Sequence, residues 1–119
     1  MKRIISLVAA LAVAATTFAV VAYGGSSRST ATTVKVTAKD TFRFVLSRKS
    51  APHGKVTFKV TNKGRLKHDF KIAGKKTKLL GHNKTATLTV TLKKGKRYTY
   101  LCTVPGHAAA GMKGRFKAT

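Results

Sequence analysis

The chain has 119 residues, 25 of them Lys or Arg and only two acidic, for a formal net charge of +23 at pH 7. With its first two dozen residues reading as an address label, what remains suits one domain with one modest core, which excludes a catalytic cleft between domains. The charge calls for anionic partners, but nucleic acid is not expected: the basic residues are spread over almost every segment instead of forming one stripe, and no nucleic-acid-binding motif appears among them.

Met1, Lys2 and Arg3 make a positive start, and residues 4–22 are almost wholly apolar and end on Val20-Val21-Ala22, with the small residue that signal peptidase needs. Residues 1–22 therefore read as a signal peptide or, since the run is long enough to span a bilayer, as an N-terminal membrane anchor. A flexible Gly/Ser/Thr linker is expected over 23–32, with the folded domain over 33–119. A lipid anchor would need a Cys at the cleavage site, and the single Cys is Cys102. Either reading of the leader puts the folded part outside the cytoplasmic membrane: periplasmic, secreted, or held at the outer face.

From there on, short segments alternate apolar and polar residues with period two, the pattern of strands with one buried face. They fall at about 34–38, 42–46, 55–61, 68–73, 86–92, 97–102 and 113–118. Turn formers stand between them: Pro52-His53-Gly54, Asn62-Lys63-Gly64, Ala73-Gly74, Gly81-His82-Asn83 and Lys94-Gly95. No segment shows a helical period. The expectation is an all-β fold, a Greek-key β-sandwich or barrel of about seven to eight strands. Outward Lys and Arg would also discourage edge-to-edge pairing, which accounts for part of the charge without any partner.

One cysteine cannot make an internal disulfide, and a lone thiol in an oxidising compartment is either a buried small hydrophobe or a metal ligand. Its neighbours decide. Cys102, His107 and Met112 stand at Cys-x4-His-x4-Met on a loop turned by Pro105-Gly106, and a second imidazole, His68, opens another strand pattern after the Asn62-Lys63-Gly64 turn. Two imidazoles and a thiolate with a weak axial thioether make a blue-copper site, because thiolate and thioether hold Cu(I) while imidazole suits both oxidation states. Zinc prefers a tetrahedral set without thioether, so Met112 argues against it. His53 and His82, in turn patterns away from this loop, read as surface residues; Tyr98, Tyr100, Phe58, Phe70 and Phe116 read as core.

In these residues the chain resembles the cupredoxins, the family of plastocyanin, azurin, auracyanin and rusticyanin. The likeness covers nearly all of the folded region, through Asn62-x-Gly64, His68-Asp69-Phe70, the 88–95 strand and turn, Tyr100-x-Cys102, Pro105-Gly106-His107 and Gly111-Met112-x-Gly114. The ligand loop is most similar to that of rusticyanin. The resemblance implies that His68, Cys102, His107 and Met112 bind one copper. A departure from plastocyanin and azurin is Asp69, where they carry Asn; it could still accept hydrogen bonds from Thr103.

The resemblance further implies a one-electron carrier and not an enzyme, with His107 showing a ring edge within a patch of Val104, Pro105, Ala108, Ala109 and Ala110. Lys63, Arg65, Lys67, Lys75, Lys76 and Lys113 would rim it, so an acidic redox protein is the expected partner, with an anionic membrane or cell-wall surface as a further contact and a monomer as the working form. The alternative is a copper-binding protein for delivery, storage or tolerance, built on the same ligands. With two carboxylates in all, the fold is expected to change little between pH 7 and 3.

Overall fold

The computed structural model describes residues 31–119. The expected signal peptide or anchor and all but the end of the expected linker lie outside the described residues. Nine strands are present among them: β1 (Thr32–Lys39), β2 (Arg43–Leu46), β3 (Ser50–Ala51), β4 (Gly54–Asn62), β5 (Lys71–Ile72), β6 (Lys75–Lys76), β7 (Thr85–Leu92), β8 (Arg97–Leu101) and β9 (Lys113–Ala118). They form a four-stranded sheet in the order β2-β1-β4-β7 and a five-stranded sheet in the order β3-β9-β8-β5-β6. The fold is all-β, as expected, with one or two strands more than the seven to eight expected.

The alternation does the folding. In β4, Val56, Phe58 and Val60 are buried while Lys55 and Lys59 are exposed, and in β7 Leu88, Val90 and Leu92 repeat the arrangement. The antiparallel β4–β7 register sets Val56 beside Val90 and Phe58 beside Leu88, so the two apolar rows form one face. On the opposite, wet face, threonines pair by their hydroxyls, Thr57 with Thr89 at 3.0 Å and Thr61 with Thr85 at 2.9 Å. β1 lies parallel to β4, with Val34 beside Phe58 and Val36 beside Val60.

The second sheet closes the core with Phe70, Ile72, Tyr100 and Phe116. Phe58 stands 5.2 Å from both Phe70 and Phe116, edge-on to Phe116, and Phe70 stacks on Tyr100 at 5.5 Å. Such pairs add to plain area burial. Of the aromatic residues expected in the core only Tyr98 is partly exposed. Gly114 is the register partner of Tyr100, and a Cβ there would lie 2.3 Å from the Tyr100 hydroxyl oxygen, so the ring takes the space a side chain would need.

Two elements correct the sequence reading. The expected strand at 68–73 shrinks to β5, because Phe70 exchanges backbone and side-chain hydrogen bonds with Thr77, and His68 pairs only with Leu80 in an isolated bridge. The short strands β3 and β6 carry no alternation to be read. β6 exists because Ala73 (φ 52°) and Gly74 (φ 78°) turn the chain sharply back, the positive φ at both central residues that a two-residue hairpin requires.

Candidate metal centre

Three stretches converge at one end of the sandwich. The loop between β8 and β9 is closed at its neck by Cys102 N–H donating to Met112 O (3.1 Å), and inside it Met112 N–H and Ala110 N–H both donate to His107 O, each at 3.1 Å. Gly106 (φ 86°) and Gly111 (φ 115°) let the loop turn this tightly. The second stretch, the β1–β2 turn, sets Asp40 and Phe42 against the site, and the third, residues 62–68, brings His68 in from the other side.

Asn62 holds that arm. It is fully buried; its Nδ2 donates to Leu66 O and Leu80 O, both at 2.8 Å, and its Oδ1 accepts from Gly64 N at 2.8 Å. His82 Nδ1 bonds to Gly64 O at 2.9 Å from outside, while His53 bonds to Thr119 O far along the chain. Both histidines are exposed and take no part in the convergence, in line with the surface role expected of them.

Within the convergence, His68 Nδ1 lies 3.2 Å from His107 Nδ1, and Cys102 Sγ lies 3.5 Å from His107 Nδ1. The donor atoms of all three residues fall within 4.8 Å of one another. A first-row metal ion about 2.0–2.3 Å from each of two such donors separates them by roughly 3–4 Å, so these positions fit one ion between them. His68 is fully buried and Cys102 is 1% exposed, whereas His107 is partly exposed. Met112, fully buried, packs in one cluster with Cys102, Ala38, Phe42, Phe44 and Val104. The Phe42 ring meets His107 edge-on, centroids 5.0 Å apart.

Both carboxylates of the chain are here. Asp69 accepts from Thr103 N at 2.6 Å and from the Thr103 hydroxyl, which ties His68's neighbour to Cys102's neighbour. The structure thus gives Asp69 the partner that the sequence suggested. Asp40, which the sequence reading passed over, accepts from His68 Nε2 at 3.0 Å. It lies 28 positions before His68, in the β1–β2 turn, and only the scarcity of acidic residues marks it out in the sequence.

Burial raises the Cys102 thiol above its ordinary value of 9.0, and the Asp69 charge adds to that effect. Burial, and then the neighbouring His68, lowers His107 below 6.5. Hydrogen bonds from Arg65 N–H and then His68 lower the Asp40 carboxyl below 3.8. The signs set the pH response of the metal-free protein. The fold favours neutral His107, so that contribution is present above pH 6.5 and is lost as pH falls through the folded value. The Asp40 contribution is complete above 3.8 and fades only below it. The melting temperature of the metal-free protein is therefore expected to be level between pH 6.5 and 9.0, to sag below 6.5, to drop again only under pH 3.8, and to fall above 9.0 where the unfolded Cys102 thiol ionises and the buried one does not. Thermal melts across that range check it; a melting temperature that rises as pH falls below 6.5 would count against these assignments.

The family model described as copper binding proteins, plastocyanin/azurin family, matches residues 18–118. The chain belongs to that copper-binding family, the cupredoxins. Comparison with curated proteins finds no match. Among solved structures, dithionite-reduced auracyanin from Roseiflexus castenholzii is similar with a TM-score of 0.66 and 23% identity, over 76% of this chain and 99% of that one. Auracyanin A from Chloroflexus aurantiacus gives 0.64 and 19%, over 76% and 100%, and an azurin from Methylomonas sp. strain J gives 0.60 and 19%, over 76% and 99%. At these identities the likeness is one of fold. None of the three is a rusticyanin, and the loop's similarity to rusticyanin stays a reading of the sequence.

Proposed function

We propose that the protein is an exported type 1 copper protein in which His68, Cys102, His107 and Met112 hold one copper and carry single electrons between redox partners outside the cytoplasmic membrane. The observation that carries this reading is the approach of two imidazole nitrogens and one thiol sulfur within 4.8 Å, beside a buried methionine in a chain of the copper-binding family. Copper, when bound, supplies one-electron exchange between Cu(II) and Cu(I).

The chain's own part is to hold a donor set acceptable to both oxidation states and to keep it still. His68, Cys102 and Met112 are at most 1% exposed, so water is excluded and their side chains have little room to rearrange. His107 alone is partly open, within a surface of Val104, Pro105 and Ala108 to Ala110, and offers the path by which an electron enters or leaves. So closed a donor set disfavours handing the metal on, which is why a carrier is preferred to a protein of copper delivery, storage or tolerance.

The visible spectrum of the copper-loaded protein tests the proposal. An intense band near roughly 600 nm, bleached by one electron and restored on reoxidation, supports it; a pale product removes the electron carrier and leaves copper handling.

Asp69 tunes the same couple. Its negative charge beside Cys102 favours Cu(II), so Asp69→Asn is expected to raise the reduction potential by about 1–2 kcal/mol of electrostatic energy, roughly 40–90 mV for one electron. An unchanged or lower potential in a redox titration would refute it.

Lys63, Arg65, Lys67, Lys75, Lys76 and Lys113 are all exposed, and a groove lined by Lys76, Lys78, Leu79, Val104 and Pro105 opens beside the ligand loop. An acidic redox protein fits this surface, and the same field would hold the chain near an anionic membrane or wall. Electron transfer with an acidic partner is expected to slow about tenfold or more between low and roughly 0.5 M salt in stopped-flow measurements. Rates indifferent to salt would exclude this mode of docking.

A further inference from the structure

The two carboxylates of this basic chain both touch the metal centre, and their partners differ. Asp69 braces the loop. Asp40 reaches a ligand side chain itself: His68 turns Nδ1 toward Cys102 and His107 and Nε2 toward Asp40 Oδ1, 3.0 Å away. The contact is closely determined. Oδ2 accepts from Arg65 N at 2.7 Å and Oδ1 also accepts from Leu66 N at 3.1 Å. Arg65 N–H and Leu66 N–H are donors, so the position demands a group that only accepts, which an ionised carboxylate is and an amide is not, and the His68 nitrogen facing that carboxylate is then the one that carries the proton. Gly64 leaves the room: a Cβ there would lie 2.0 Å from Asp40 Oδ1. Lys63 N–H donating to Ala38 O (3.0 Å) binds the same two stretches together.

We propose that Asp40 is a positioning residue for the copper couple, forming a carboxylate–histidine–copper relay in which it fixes His68 as the Nε2–H tautomer and biases the site toward Cu(II). Accepting the Nε2 proton leaves the Nδ1 lone pair free and aimed at the metal position before any metal arrives. The negative charge makes the imidazole a stronger donor, which stabilises Cu(II) more than Cu(I) and lowers the potential. Asp40 is partly exposed, at 38% of its side chain, so solvent moderates the effect without cancelling it.

The proposal rests on copper occupying this site and not on who the redox partner is. Two measurements test it. Nitrogen-15 spectra of the metal-free wild-type protein, which need no variant, should show His68 as the Nε2–H tautomer; an Nδ1–H or mixed population overturns the relay. In copper-loaded Asp40→Asn, the ratio of Cu(II) to Cu(I) affinity should fall about tenfold, which for one electron is a rise of about 59 mV in potential, with the visible band retained. A merely structural Asp40 would lower stability and leave that ratio unmoved, and this result also overturns the proposal. Should the wild-type protein itself take up copper without colour, the type 1 reading of the site fails instead, a distinguishable outcome.

Discussion

Cys102→Ser is expected to abolish the intense visible absorption of the copper-loaded protein altogether. The band belongs to a copper–thiolate bond, and Cys102 is the one cysteine of the chain, so no other side chain can restore it. Serine keeps the shape but offers a hydroxyl that stays protonated. The imidazoles of His68 and His107 remain, so some Cu(II) binding persists, weaker by more than the 10–100-fold that loss of an outer-shell partner typically costs. The metal-free fold should survive. Cys102 is buried, and exchanging its thiol for a hydroxyl there costs about 1–3 kcal/mol, within the stability of an ordinary domain. Spectra with and without copper, together with a melt of the metal-free variant, check both halves; a variant that stays blue would remove Cys102 from the site.

Asn62→Ala is expected to be among the most damaging single polar changes outside the donor set. The amide is fully buried and serves three backbone groups between residues 64 and 80. Leu80 O keeps a second donor in His68 N–H at 3.2 Å, but Gly64 N–H and Leu66 O lose their side-chain partner. At about 1–3 kcal/mol for each unsatisfied group the loss is roughly 2–6 kcal/mol. For a domain of this size that lowers the melting temperature by about 10–50 °C. Copper should narrow the gap between variant and wild type, because it binds only the folded state. The damage should also reach His68, since the arm that carries it is held by Asn62, and copper should dissociate faster. Melts with and without copper and a chelator-challenge rate decide it; a melting temperature within about 3 °C of wild type would show that water replaces the amide.

Much of this protein is legible in its amino-acid order, because the physics involved is local. Alternation in 55–61 and 86–92 gives β4 and β7, since a one-residue slip would turn Val56, Phe58 and Val60 to water. The spacing of Cys102, His107 and Met112 places three donor types on one tight loop, and Pro105-Gly106 marks the bend. The family follows from the same residues. The excess of Lys and Arg, too, could be read as a surface property before any strand was placed.

What sequence alone left open depends on contacts between distant stretches. The segment 68–73 looks like a strand from its apolar pattern, but its backbone bonds go to residues 77–80, and only two of its residues join β8. β3 and β6 form because neighbours are already in place: Ser50 and Ala51 pair with the end of β9, and Lys75 and Lys76 fold back on β5. No alternation announces either, and only the Ala73-Gly74 turn ahead of β6 is visible in the sequence. Asp40 is the clearest case. Alone it is an acidic residue in a turn, and it becomes part of the metal centre only because β1, pairing with β4 through Asn62, sets the β1–β2 turn against the arm that carries His68. The sequence determined which chemistry is available; the packing of the two sheets decided which nitrogen of His68 faces His107 and which faces Asp40.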